Sequence, residues 1–248
     1  MAQIDRRKTG LSAALALLAG VAALVGIASA SGGGSGAKAA KPVKLEDSTM
    51  IVEFNDTDDD IGIQPFADGE PWTKLAIFDP KGRRLLGVNP SGKLNKFGLT
   101  ELFAETHEPE LSELPLRKFK KRFPAGTYRM RGETVEGRKL VGKAKLSHDI
   151  PNGPEIASPT KGQTVSENDL VAGWSPGTQP NGVQIAAYEV IVETDEEDPR
   201  VFDADLPASV TSLKIPAEFL EPGPYKIEVL AIEQSGNQTI SELTFNVG

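Results

Sequence analysis

A run of cations is the first feature of the chain that could do chemistry. Residues 117–145 hold eleven lysines and arginines against two acids, Glu133 and Glu136. A segment of this kind attracts anions, so an anionic surface or polysaccharide could bind it. Phe119 and Phe123 fall on the apolar side of a predicted helix, which leaves few aromatic residues for stacking. Glutamates upstream and the acidic C-terminal region offer an internal counter-surface, so pairing within the molecule is the simpler interpretation.

A cluster of acids is the second feature, because four aspartates fall within five consecutive positions. Ca²⁺ prefers six to eight oxygen ligands, and the alternating Asp56, Asp58 and Asp60 resemble the first half of an EF-hand loop. Ile61 occupies the position of that loop's turn glycine, and Ala67 occupies the position of its bidentate glutamate. We therefore expect a solvated turn and no cofactor, with a Ca²⁺ site of another kind at residues 56–60 as the alternative.

Hydrolytic chemistry finds little support in the residue types. His107 and His148 are the two histidines, and neither accompanies a Gly-x-Ser-x-Gly turn or a second histidine at metal-ligand spacing. The chain has no cysteine, which excludes thiolate nucleophiles, disulfides and Cys-based metal sites. No carboxylate pair has a spacing that marks a glycosidase. We predict that the protein is not an enzyme.

The first thirty residues are typical of an export signal. Arg6, Arg7 and Lys8 precede an apolar stretch from Leu11 to Ala28, and a small-residue pattern ends at Ala30. We predict cleavage there and a secreted or periplasmic protein that does not insert into the membrane afterwards. An uncleaved N-terminal anchor is the alternative. Residues 31–45 are rich in Gly, Ser, Ala and Lys and predict a flexible linker.

Charge divides the rest of the chain. The 248 residues carry a net charge of −8, and residues 152–248 alone carry four basic and sixteen acidic residues. An acidic region of this kind repels phosphates, so nucleic acid is not an expected partner. The length suits two domains, residues 46–150 and 152–248, and we expect a monomer.

The first domain has the pattern of strands interrupted by helices. Two predicted hairpins, residues 74–88 and 126–146, each contain a glycine turn between alternating apolar residues. Residues 100–123 predict a helical insertion, with one short helix at 100–105 and another at 114–123 where apolar residues recur at helical spacing. We predict a β-sandwich-like domain with a short helical insertion.

The second domain has short alternating strands separated by turns, which is typical of a sandwich. Six residues define its pattern by type and spacing: Trp174, Tyr188, Leu220, Pro222, Gly223 and Tyr225. They resemble the core tryptophan, the third strand and the tyrosine corner of the fibronectin type III family. The resemblance implies a seven-stranded immunoglobulin-like sandwich in which these residues have structural roles, and a Tyr225 hydroxyl that bonds to nearby backbone. It implies no reaction.

Two further patterns bear on architecture. Residues 123–128 resemble the corner at residues 220–225, which indicates a similar turn in the first domain, with chance recurrence of a common Gly-x-Tyr turn as the alternative. Ile191, Leu230 and Ile232 fall on the outer side of the second domain's strands, where an exposed sheet should be polar. They form a candidate contact patch for the first domain or a partner, and cross-strand packing is the alternative.

These observations predict a mainly β, exported bacterial protein that carries a fibronectin type III domain. The leading function is non-catalytic binding or scaffolding, with an unidentified protein or glycan as the partner. The alternative is an accessory module that is linked to Ca²⁺ through residues 56–60 or binds anions through residues 117–145.

Overall fold

The computed structural model describes residues 41–248. The predicted export signal and most of the predicted linker lie outside these residues. The described chain is mainly β, as predicted, with fifteen strands, two short α-helices and a 3₁₀ helix at Ala217–Phe219. The first half contains β1 (Val43–Lys44), β2 (Asp47–Asn55), β3 (Asp60–Phe78), β4 (Arg84–Val88), α1 (Leu94–Phe97), β5 (Leu99–Phe103), α2 (Leu116–Arg122), β6 (Gly126–Thr134) and β7 (Lys139–Leu146). The second half contains β8 (Glu155–Ser158), β9 (Thr164–Val165), β10 (Val171–Ser175), β11 (Ile185–Thr194), β12 (Val201–Pro207), β13 (Ser212–Lys214), β14 (Gly223–Glu233) and β15 (Gln238–Val247).

The long strand β3 organises the first half. Its N-terminal part pairs with β2, and its C-terminal part pairs with β6 and β4. Between the two parts, the register shifts around Gly69 and Pro71, where a proline cannot donate to a ladder. Strands β2 and β7 contact each other across the core without pairing. Trp72, Phe119 and Tyr128 are buried in this core.

The second half is a sandwich of two sheets. One sheet has the order β13-β10-β8, and the other contains the run β12-β11-β14-β15. The ring of Trp174 meets the edge of Tyr188 between them, with 5.5 Å between ring centroids. These seven strands give the immunoglobulin-like sandwich that the sequence predicts. The short β9 adds to β15 in parallel.

Tyrosines close equivalent turns in both halves. The backbone N–H of Glu221 donates to the hydroxyl of Tyr225 at 2.9 Å, and the hydroxyl of Tyr128 donates to the carbonyl of Pro124 at 3.2 Å. In each turn the partner lies four residues upstream of a buried tyrosine. Gly223 precedes its tyrosine by two residues at a φ of 155°, which side chains rarely allow. The turn at residues 123–128 therefore has the geometry of a second corner.

The helical insertion is shorter than predicted. A helix at residues 100–105 is wrong, because β5 occupies this segment and pairs with β3. A five-residue helix has little stability of its own, and Phe103 and Leu102 gain cross-strand neighbours instead. The second helix is present as α2 and buries Phe119, while Leu116 is 36% exposed. The predicted linker of residues 31–45 ends too late, because β1 (Val43–Lys44) already pairs with β7.

We expect Tyr225→Phe to lower the free energy of unfolding by about 1–2 kcal/mol, because the Glu221 N–H loses its acceptor. Urea titration followed by fluorescence measures the change. Tyr188→Phe is the matched control, since the Tyr188 hydroxyl has no hydrogen bond within residues 41–248 and its ring is equally buried. An equal loss in both variants would contradict a role for the corner hydrogen bond.

Candidate functional site

The two halves join through their sheets. Strand β15 of the sandwich pairs in parallel with β2, so Gln238, Thr239 and Ile240 lie beside residues 53–55. This pairing makes a single 12-stranded sheet that runs through both halves. The backbone N–H of Asp56 extends the ladder by donating to the Ile240 carbonyl at 2.9 Å. The junction is therefore a shared sheet and not a simple linker.

Asn237 is the polar centre of the junction, and it is fully buried. Its side-chain oxygen accepts a hydrogen bond from the Val52 N–H at 2.8 Å. Its side-chain nitrogen donates to the Ser147 hydroxyl at 2.7 Å and to the Asp149 carbonyl at 3.2 Å. Three segments that are distant in sequence meet at this one amide. Because buried amides are costly without partners, the network fixes their relative positions.

The connection between the halves is also held in place. The Thr239 hydroxyl donates to the Pro151 carbonyl at 2.6 Å. Gly153 is buried, and a Cβ at this position would lie 2.4 Å from the Ser241 hydroxyl and 3.1 Å from Asp56. Only glycine fits so close an approach without displacing its neighbours. The crossing segment is thus bonded to β15 and packed against the loop after β2.

Three carboxylates converge beside the junction. Oxygen atoms of Glu53 on β2 and of Glu105 and Glu108 after β5 lie within 4.8 Å of one another. Gln238 donates to Glu53, and Gln64 donates to Glu105 at 3.2 Å. One carboxylate oxygen of Glu108 is buried and has no hydrogen-bond partner within residues 41–248. Such oxygen-rich surroundings are the chemistry that a hard cation requires. We call these three residues the glutamate triad.

Burial is the main cause of the raised pKa values of the glutamates in this region. It raises the pKa of Glu53 to about 7 and that of Glu108 to about 8, and like-charged neighbours add to both effects. Burial also raises the pKa of Glu189 on β11 to about 8, and the charge of Asp203 makes the next largest contribution. The triad and Glu189 influence each other across the junction, since Glu53 contributes to the Glu189 shift.

The predicted contact patch lies on the same sheet. Ile191 is 3% exposed and Leu230 is 0% exposed, and they form an apolar cluster with Ile240. Ile232 is half-buried and packs against this cluster. The residues therefore contact one another across β11, β14 and β15. Contact between this patch and a partner stays a prediction, and it would have to be made through Ile232.

The acidic loop at residues 56–60 is organised by Asn55. The Asn55 side-chain oxygen accepts hydrogen bonds from the N–H groups of Thr57 at 2.9 Å and Asp58 at 3.1 Å. Asp60 begins β3, and burial raises its pKa to about 6. Within residues 41–248, the carboxylates that converge are those of the glutamate triad and not those of this loop. Ca²⁺ binding by Asp56, Asp58 and Asp60 stays a prediction.

The basic segment lies on strands β6 and β7 and on helix α2. Its exposed side chains point away from the core, because Tyr128, Met130 and Leu140 occupy the buried positions between them. No ion pair within residues 41–248 joins this segment to the acidic second half. The internal pairing that the sequence suggests is therefore not formed there.

The two histidines have separate surroundings. A ring nitrogen of His148 lies 2.8 Å from the Phe123 carbonyl, whereas His107 is an electrostatic neighbour of Asp60. Within residues 41–248, no helix is both long and apolar enough to cross a membrane.

Sequence reasoning missed the junction and the glutamate triad. Asn237 follows Gly236 in what looks like an ordinary turn, and its partner Val52 is 185 residues away. The triad joins a strand to a loop that was predicted as helix. One available signal is Gly62, whose missing side chain leaves room for Glu108, since a Cβ there would lie 2.6 Å from a carboxylate oxygen.

Comparisons with known proteins assign no family to the chain and find similarity only to solved structures of low sequence identity. A scan against protein-family models finds no match, and a search of curated proteins finds none. Solved structures that resemble it include a tetra-tandem repeat from the extending region of a large adhesion protein, at 14% identity and a TM-score of 0.29. Others are the FN1–FN3 domains of chicken CNTN1, at 12% and 0.32, and a 1.5-MDa bacterial ice-binding adhesin, at 10% and 0.29.

The matched regions cover most of this chain but only part of each solved structure. They cover 82%, 84% and 84% of this chain but 50%, 65% and 66% of the three solved structures, so the chain spans half to two thirds of their lengths. Similarity at this level carries no functional argument. The chain's own geometry therefore has to supply one.

We expect the free energy of unfolding to fall between pH 5 and pH 8, by about 1.4 kcal/mol per pH unit for each carboxyl group that is protonated only in the folded state. Glu53, Glu108 and Glu189 hold protons in the folded state up to about pH 7–8, whereas the unfolded chain releases them near 4.5. The folded state therefore binds more protons across this window, and stability falls as pH rises. Urea titrations at several pH values measure the slope.

Glu108→Gln should flatten that slope, because the amide stays neutral at every pH. Glu113→Gln is the matched control, since Glu113 is exposed and lies in the same connection. A slope that is unchanged by Glu108→Gln would contradict the assignment of the buried proton.

Proposed function

We propose that the chain is a non-catalytic binding or scaffolding protein whose two β-rich halves act as one rigid body. Export to the periplasm or the cell exterior is part of the proposal, and the sequence of residues 1–30 supports it. The partner is a protein or a glycan. The observation that carries the proposal is the junction, in which a shared sheet and the buried Asn237 amide set the halves at a fixed distance and orientation.

A rigid junction suits spacing and presentation. Two modules on a flexible linker sample many separations, whereas a shared sheet allows one. The second half adds a strongly acidic surface, and the first half adds a separate basic one. A scaffold of this kind presents both surfaces at a constant distance and orientation, which a flexible linker could not do.

We expect Asn237→Ala to lower the free energy of unfolding by at least about 2 kcal/mol, because the Val52 N–H and the Ser147 hydroxyl lose partners in a buried place. We also expect the single unfolding transition of the unchanged protein to split into two, since each half has its own core. Calorimetry measures both effects, and small-angle scattering reports the accompanying gain in flexibility.

Asn246→Ala is the control for this variant, because Asn246 is an exposed residue of β15, the strand that Asn237 immediately precedes, and its side chain makes no hydrogen bond within residues 41–248. If the unchanged protein already scatters as two independent bodies, the rigid-scaffold proposal fails.

A Ca²⁺-linked accessory function is the second candidate, and the glutamate triad favours it. Three carboxylates lie within reach of one ion, and a buried oxygen of Glu108 is unbonded within residues 41–248. The cation would displace the protons that burial favours on these carboxyl groups and release them to solvent, and it would link β2 to the segment after β5. Binding there would stiffen the first half next to the junction.

Under this second candidate, millimolar Ca²⁺ should raise the melting temperature of the protein at pH 8 by several degrees, and a chelator should reverse the effect. Glu108→Gln should abolish the response, whereas Asp58→Asn should leave it intact. The opposite result for the two variants would assign Ca²⁺ to the loop at residues 56–60, and no response in the unchanged protein would exclude the Ca²⁺-linked function.

A further inference from the structure

A row of charged residues crosses the outer face of the first half. Phe78 on β3 pairs with Arg129 on β6, and Arg129 pairs with Lys143 on β7. Arg84 on β4 pairs with Phe78 from the other side. Directly opposed residues of antiparallel strands share a face. Three strand spacings of about 4.8 Å give the row a length of about 14 Å.

Several cations on this face lack a carboxylate partner within residues 41–248. Five exposed side chains form no ion pair within residues 41–248: Arg84, Arg129, Arg131, Lys143 and Lys145. Nearby acids are already engaged, because Glu133 pairs with Lys74 at 3.2 Å and Asp79 pairs with Arg83 at 2.7 Å. The positive charge of the face is therefore available to a ligand.

Stability does not account for this arrangement. Arg129 and Lys143 are directly opposed, and like charges in that position destabilise a sheet. A bound anion would convert the repulsion into two attractive contacts. The pair is thus explained better by a ligand than by folding.

Two grooves extend the charged row at Arg84, which lines both. One has a volume of about 590 Å³ and reaches α2, where Lys121 and Arg122 line it. The other has a volume of about 300 Å³ and is lined by Phe78 and Arg131. The guanidinium of Arg131 lies 5.5 Å from the centre of the Phe78 ring. The surface is therefore an elongated basic track in which Arg131 lies over one aromatic ring, and we call it the basic face.

We propose that the basic face binds a linear polysaccharide that carries carboxylate or sulfate groups. The inference rests on the proposed binding function and names its ligand class. Arginine forks match carboxylates and sulfates through paired hydrogen bonds, and a chain polymer can follow cations that are spread over several strands. A stable protein interface would need an apolar centre, and this face offers little apolar surface besides Phe78.

The test measures binding of the purified protein to heparin, a sulfated polymer, and to polygalacturonate, a carboxylated one, with neutral dextran as the reference. We expect both anionic polymers to bind, binding to weaken as NaCl rises from 50 to 500 mM, and dextran not to bind. The double variant Arg129→Gln/Lys143→Gln should bind about tenfold more weakly. Its melting temperature should be equal or higher, because the opposed charges are gone.

The matched control is Lys161→Gln/Lys214→Gln, which removes the same charge from exposed sites in the second half. It should bind as the unchanged protein does. Equal weakening in the two double variants, full binding by Arg129→Gln/Lys143→Gln, or no binding of either anionic polymer by the unchanged protein would overturn the inference.

Two further measurements separate the explanations. A salt-sensitive dimer that Arg129→Gln/Lys143→Gln abolishes would overturn the polysaccharide assignment and give the face to the acidic half of a second copy. Small-angle scattering of the same samples reports the junction independently. A rigid protein that binds no polymer defeats only this inference, whereas a flexible protein that binds polymer defeats only the scaffold.

Discussion

The structure depends on the pairing of β15 with β2, because it joins the sheet of the first half to the sandwich of the second half. The ladder itself is short and parallel, and a parallel pair of three residues on each strand contributes little. The Asn237 side chain adds to the stability of the junction, because it forms hydrogen bonds with β2 and with the crossing segment. Edge strands that stay open are sites of unwanted pairing. Joining two edges removes this risk and fixes the halves at the same time.

The shared sheet also determines where charge collects. Glu53 on β2 and Glu189 on β11 become electrostatic neighbours through the joined sheet, although each belongs to a different half. Burial is the first cause of both raised pKa values, and for Glu189 the acids of its own half, Asp203 and Asp205, contribute more than Glu53 does. The basic face lies on β4, β6 and β7, and β3 and β2 separate these strands from β15 in the sheet order. The buried glutamates at the junction and the cations of the basic face therefore lie on different strands of one sheet.

Much of this fold could be predicted from the sequence, because its hairpins and its corner are determined by residues that lie close together in the chain. Turn glycines and alternating residues gave both hairpins of the first half, and Trp174 with the corner at Tyr225 gave the sandwich. The failures involve partners that are distant in the chain. The segment at residues 100–105 has a weak helical pattern, yet pairing with β3 determines its state. Asn237 and Glu53 have no local pattern that reveals their roles, since each acquires its role only when segments 185 residues apart meet.

Two features of the molecule oppose stability, and their positions bear on function. Buried glutamates beside the junction must hold protons to remain in place, and opposed cations on β6 and β7 repel each other. Natural chains keep such local conflicts where a ligand or partner relieves them. Because one continuous sheet holds both conflicts, the basic face and the acidic junction belong to the same frame, which is the arrangement that the proposed scaffold requires.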